Sequence, residues 1–127
     1  MTSPSLLVLA LVDDDCSVRK SLARLLRLAG YAVSPFASAE EYLAAGLSPD
    51  LLLLDVRMPG MDGPALHTHL VARGDHTPVI FISAHDDVPA VVAAMRAGAA
   101  DFLMKPVTED TLLFAIDRAI GAHRSGR

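Results

Sequence analysis

Leu51-Leu52-Leu53-Leu54-Asp55 is the stretch that decides the fold: four consecutive leucines that end on a carboxylate. A run this short, apolar at every position until its last residue, suits a strand buried on both faces, as in a parallel sheet. The aspartate then stands at the carboxyl end of the strand, the edge where open α/β sheets hold their ligands. Behind it comes Val56-Arg57-Met58-Pro59-Gly60-Met61-Asp62-Gly63, a loop with two glycines and a proline. Position alone leaves two readings of Asp55 open, a reactive group or a strand terminator.

Outward from this strand, apolar runs alternate with helical patterns. Leu6 to Val12 reads as a first strand, followed at once by Asp13-Asp14-Asp15. Val18, Leu22, Leu25, Leu26 and Ala29 then recur at helical spacing, with Arg19, Lys20, Arg24 and Arg27 between them and Gly30 closing the helix. Tyr31 to Phe36 reads as a second strand. Ser38-Ala39-Glu40-Glu41 has the form of a capping box. After the leucine strand, a helix is expected from about Gly63 to Arg73, with Pro64 at a tolerated first position. Val79 to Ile82 is another apolar run, ending on Ser83. Asp87 is placed to cap the next helix, with Pro89 in its first turn and Gly98 after its end. Ala100 to Met104 is a last short strand before Lys105-Pro106. Thr108 can cap a final helix whose inner stripe is Leu112, Ile116, Ala119 and Ile120. The segment from His123 carries no pattern and is expected to fray.

Strand then helix, five times over, argues for a parallel sheet covered by helices on both faces. Right-handed crossovers bring the carboxyl ends of all strands to one edge. Asp13, Asp14, Asp55, Ser83 and Lys105 therefore converge there. Three carboxylates repel unless a cation intervenes, and an oxygen-only donor set suits Mg²⁺. With an ammonium and a hydroxyl, these are the parts that steady a phosphoryl group in transfer, and an aspartate can itself be the nucleophile. Each part also has a plainer reading: the acid run as a solvated turn, Ser83 as a strand-end cap, Lys105 as a surface charge. Their arrival together at four strand ends weighs against those.

The totals set limits. The chain has 127 residues, 52% hydrophobic and 20% charged, which fits one domain with a real core. A net charge of -4 argues against a nucleic-acid surface. Cys16 is the single cysteine, so no internal disulfide forms, and a cytoplasmic setting is expected. The run from Leu6 lacks the preceding basic residue of a signal peptide, and no run reaches the length of a membrane helix. His67 and His69 are two apart and do not face each other on a helix, so a zinc pair is not expected. His76 and His123 read as solvated.

The sequence resembles the receiver domain of two-component response regulators over nearly its whole length, with residues 1–123 as the domain and 124–127 as a tail or the start of a linker. The carriers are Val12-Asp13-Asp14, Leu54 through Gly63, Ile82-Ser83-Ala84, and Gly98 through Pro106. The stretch Ser83 to Pro89, with Phe102, is most similar to the FixJ-type branch. The resemblance implies a flavodoxin-like (βα)5 fold with strand order 2-1-3-4-5. It implies that Asp55 accepts a phosphoryl group from a phosphohistidine on a sensor histidine kinase. It implies Mg²⁺, with Mn²⁺ able to substitute, held by Asp13, Asp14, Asp55 and the Arg57 backbone carbonyl. Lys105 and Ser83 would contact the phosphoryl oxygens, and Phe102 would turn inward as Ser83 moves. The Lys105-Pro106 bond is expected to be cis. Arg57 and His85 would tune the phosphoryl lifetime. Phosphorylation would promote a homodimer through the face of helix four, strand five and helix five, including Val91, Val92, Met95 and Arg96.

By the same likeness the domain is no enzyme beyond its own phosphorylation and dephosphorylation. It would reach nucleic acid only through an output domain, control of transcription being that domain's expected task, and it needs no membrane. No output domain follows here, so a stand-alone receiver and a receiver separated from its DNA-binding part both stay open. Ser83 replaces the commoner threonine, and Phe102 stands where many members have tyrosine. Three rival readings have less support. An aspartyl-phosphate phosphatase would want an acid where Arg57 stands. A nucleotide or flavin domain lacks its glycine motif. A degenerate docking receiver is at odds with the intact acids, Ser83 and Lys105.

Overall fold

The computed structural model describes residues 7–84 and 88–125. Five strands and five helices alternate: β1 (Val8–Val12), α1 (Cys16–Leu28), β2 (Ala32–Phe36), α2 (Ala39–Ala45), β3 (Leu51–Asp55), α3 (Gly63–Ala72), β4 (Val79–Ser83), α4 (Val88–Arg96), β5 (Asp101–Met104) and α5 (Glu109–Ser125). All pairings are parallel, and the strand order is β2-β1-β3-β4-β5. The chain has the flavodoxin-like receiver architecture.

The leucine run lies at the centre, between β1 and β4. Alternate side chains of a strand point to opposite faces. Leu51 and Leu53 accordingly enter one core with Leu22 and Leu26 of α1 and Leu112, Ala115 and Ile116 of α5. Leu52 and Leu54 enter the other, with Tyr42 of α2, Leu66 and Leu70 of α3 and Ala94 of α4. All four are fully buried. Truncating any one to alanine costs roughly 2–5 kcal/mol, because it leaves a cavity between two layers that collapse only partly.

The helices start where the sequence supplies caps. Ser38 Oγ accepts from Glu41 N–H at 3.1 Å, and Glu41 reaches back to Ala37 N–H at 3.2 Å, one residue before the partner a strict capping box would use. Asp62 caps α3 and Thr108 caps α5. The expected cap of α4, Asp87, lies outside the described residues. The Lys105-Pro106 bond is cis.

Several boundaries differ from expectation. β1, β2 and β5 each begin later than the apolar runs suggested, at Val8, Ala32 and Asp101, because ladder pairing rather than hydrophobicity bounds a strand. The last helix continues through Ser125 instead of fraying from His123. A helix propagates through permissive residues without an apolar stripe once a packed stretch has nucleated it.

Candidate functional site

The carboxyl edge gathers the end of β1, the end of β3, the end of β4 and the residue after β5. At β1, Asp13 keeps the strand's course, its N–H donating to Phe36 O at 3.1 Å. Its side chain turns inward and is 1% exposed. Asp13 Oδ1 accepts from Asp15 N–H at 2.9 Å, and its backbone carbonyl accepts from Arg19 Nη1 at 2.7 Å. Asp14, next along, is exposed. Asp15 is the N-cap of α1, accepting from Ser17 and Val18 N–H at 2.9 and 3.2 Å.

Asp55 ends β3 and is buried. Its main chain is hemmed by Gly63, where a Cβ would overlap the Asp55 carbonyl oxygen and come within 3.1 Å of the Phe81 ring. Only glycine lets α3 begin so close to the strand end. Lys105 Nζ reaches between the buried acids, 3.3 Å from Asp13 Oδ2 and 3.6 Å from Asp55 Oδ1. Asp13, Asp14 and Asp55 each offer an oxygen within 4.8 Å of the others, the grouping able to hold a metal among the described residues. Hard oxygen donors and a surplus of negative charge over the one lysine fit a divalent cation such as Mg²⁺.

Electrostatics single out Asp55. Burial, and then the Asp13 charge, push its carboxyl up to about 7, with Asp14 adding to the rise and Lys105 opposing it. A cation in the acid cluster acts in the direction of Lys105.

Ser83 is buried at the end of β4, and its hydroxyl donates to the Ala84 carbonyl at 3.0 Å. Its own carbonyl accepts from Lys105 N–H at 2.7 Å, so the residues that carry hydroxyl and ammonium are tied through the backbone. Phe102 is half-buried, stacked on Phe81 with ring centroids 6.0 Å apart. Arg57 is exposed at the start of the loop after β3. His85 lies outside the described residues. Val91 is half-buried, and Val92, Met95 and Arg96 are exposed on α4.

Thus Asp13, Asp14, Asp55 and Lys105 come together in one cluster, while Val91, Val92, Met95 and Arg96 form a separate surface. Sequence reasoning missed several contributors. Asp15 is a helix cap, readable from its place three residues before Val18. Met104 and Phe114 are exposed apolar residues on β5 and α5, adding to Val92 and Met95. Phe114 could have been found as an aromatic off the inner stripe of α5, four residues before Arg118, whose guanidinium lies 5.7 Å from its ring centroid. His67, unassigned from sequence, is buried edge-on against Phe81, and burial lowers its pKa.

Residues 9–117 match the response regulator receiver domain family. The transcriptional regulatory protein FixJ of Azorhizobium caulinodans is 44% identical over 120 residues, covering 93% of this chain and 57% of that protein. The C4-dicarboxylate transport transcriptional regulatory protein DctD of Rhizobium meliloti is 46% identical over 112 residues, covering 86% of this chain and 24% of that protein. The crystal structure of FixJ-N matches with a TM-score of 0.86 at 40% identity, covering 93% of this chain and 96% of that one. The chain spans from about a quarter to somewhat over half of the length of these two regulators. Among the described residues no helix is long and apolar enough to cross a membrane.

Proposed function

This chain belongs to the response regulator receiver domain family, and from that membership we propose that it is a switch worked by phosphorylation of Asp55. A phosphohistidine on a sensor histidine kinase is the donor. An Asp55 oxygen attacks phosphorus, the O–P bond forms as the N–P bond breaks, and the imidazole leaves with the bonding pair and takes up a proton. The observation that carries this reading is a buried carboxylate at a central strand end, 3.6 Å from an ammonium and grouped with two further acids.

Asp13, Asp14, Asp55 and the Arg57 carbonyl would hold the Mg²⁺. When bound, the ion keeps the acceptor ionised and offsets charge on the transferring oxygens. Lys105 pairs with a phosphoryl oxygen on the other side. The Ser83 hydroxyl exchanges the Ala84 carbonyl for another, and Phe102 turns inward as it does so. The altered face is that of α4, β5 and α5. Its exposed Val92, Met95, Met104 and Phe114 suit burial against a second copy. Arg57 and His85 tune the phosphoryl lifetime, and substituting either should change the decay rate. The control exerted through an output domain is that of transcription, as the names of the relatives state for those proteins.

Intact-mass measurement after acetyl phosphate tests the core of this. With Mg²⁺, one phosphoryl group is expected on the wild type and none on Asp55→Asn. Labelling of Asp55→Asn at the wild-type rate would overturn the reading.

A further inference from the structure

Glu40 stands in the first turn of α2, where an acid ordinarily does no more than complement the helix N-terminus. Its carboxylate leaves the helix instead. Oε2 accepts from Met61 N–H at 3.0 Å, across 21 positions of sequence. That bond, and next the one from its own backbone N–H, hold the carboxyl below its ordinary range. Neighbouring Glu41 serves α2 itself, through Ala37. Two adjacent acids thus have different tasks.

Met61 belongs to the loop that joins Asp55 to α3. The loop's ends are fixed by backbone bonds, Val56 N–H to Ile82 O at 3.2 Å and Gly63 N–H to Val56 O at 3.0 Å. Met58 is buried in the core that also holds Ala39 and Tyr42 of α2. Beyond Met58, Met61 packs partly against the same core and its N–H is held by Glu40. Gly60 makes the latch possible twice over. It takes φ 73°, and a Cβ there would stand 2.9 Å from Glu40 Oε2. The carboxylate occupies the space where any other residue would carry a side chain.

We infer that Glu40 is a positioning residue of the Asp55 site: through Met61 it sets the course of the β3–α3 loop, and so the place of the Arg57 carbonyl in the metal shell. This rests on the function proposed above. The partner of a metal-holding group ordinarily contributes to affinity without touching the ion. Glu40 does so from a helix that supplies no side chain to the acid cluster.

The test is Mg²⁺ titration of the whole chain, followed by backbone amide NMR. Glu40→Ala is expected to raise the Mg²⁺ Kd about threefold to tenfold, below the larger effects seen for buried metal-shell partners because this bond is exposed. Glu40→Gln, whose amide oxygen can accept the same bond, should restore the Kd to within about twofold of wild type. Gly60→Ala should weaken Mg²⁺ binding as well, and adding Glu40→Ala to it should cause no further rise, since the latch is already displaced. Wild-type Kd values for Glu40→Ala would overturn the inference. So would a Glu40→Gln as weak as Glu40→Ala, because charge at a distance would then be acting in place of the bond. The acetyl phosphate experiment on Asp55→Asn is read separately: its failure removes the phosphorylation reading and leaves the Mg²⁺ titration to decide the latch.

Discussion

Two adjacent strands, β1 and β3, carry at their carboxyl ends the aspartates Asp13 and Asp55, both buried and both near Lys105, yet their surroundings differ. After β1 the chain turns tightly into α1. Within that turn Asp15 N–H donates to Asp13, and Asp15 caps the helix with its own carboxylate. After β3 the chain runs through a seven-residue loop before α3, so Asp55 has no turn of its own to lean on. Its carboxyl is pushed up to about 7 by burial and the neighbouring acids, with Lys105 opposing. The tight turn gives Asp13 and Asp15 backbone N–H donors. At Asp55 burial and the neighbouring acids outweigh Lys105, and such a carboxylate is the one ready to take a cation.

The sharpest way to break this comparison is to remove the shared cation. Lys105→Met leaves Asp13 and Asp55 facing each other without an ammonium. We expect a loss of about 3 kcal/mol in metal-free urea unfolding at pH 8, near the lower bound for breaking a buried pair. A loss at pH 8 no greater than at pH 4 would show that Lys105 does not hold the acids together.

Asp55→Asn should act in the opposite direction. A carboxyl whose folded pKa lies above its unfolded value makes the folded state bind the extra proton. Its contribution therefore favours folding at low pH and is lost as pH rises from about 4, the unfolded range, through about 7. At pH 8 in metal-free buffer, Asp55→Asn should be more stable than the wild type by roughly 2 kcal/mol, discounted from the full linkage for solvent access. Near pH 4 the gain should vanish. His67 contributes with the reverse sign, stability rising with pH as its lowered folded pKa and then its ordinary value are passed. It is common to both proteins, so the difference between the two pH profiles isolates Asp55. Equal profiles would remove the contrast between the strand ends.

The smallest effect concerns the β1 side alone. Asp15→Ala should cost about 1 kcal/mol through the lost cap, while Asp15→Asn should cost little. Neither should alter labelling of Asp55 by acetyl phosphate. A changed labelling rate in Asp15→Asn would mean that Asp15 belongs to the reactive cluster.

The strand and helix alternation was legible because each signal is local. Leucine at the first four positions of β3, caps at Ser38 and Thr108, and glycines at helix ends are read within a few residues. The converging set of Asp13, Asp14, Asp55 and Lys105 was legible one step later, since parallel topology sends every strand's carboxyl end to one edge. The Glu40–Met61 bond was not. Nothing about a first-turn glutamate announces a partner in a distant loop. The burial of His67 was equally hidden, because it depends on how far α3 is rotated against the sheet.

By itself the sequence determined the order of elements, the doubly buried strand and the kinds of group that meet at its end, because periodicity and topology depend on residue type. Only the tertiary structure decided what surrounds each of those groups. Asp13 and Asp55 are the same residue at neighbouring strand ends. Hydrogen-bond donors, ammonium distance and burial set them apart, and each of these is a property of what folds around the side chain.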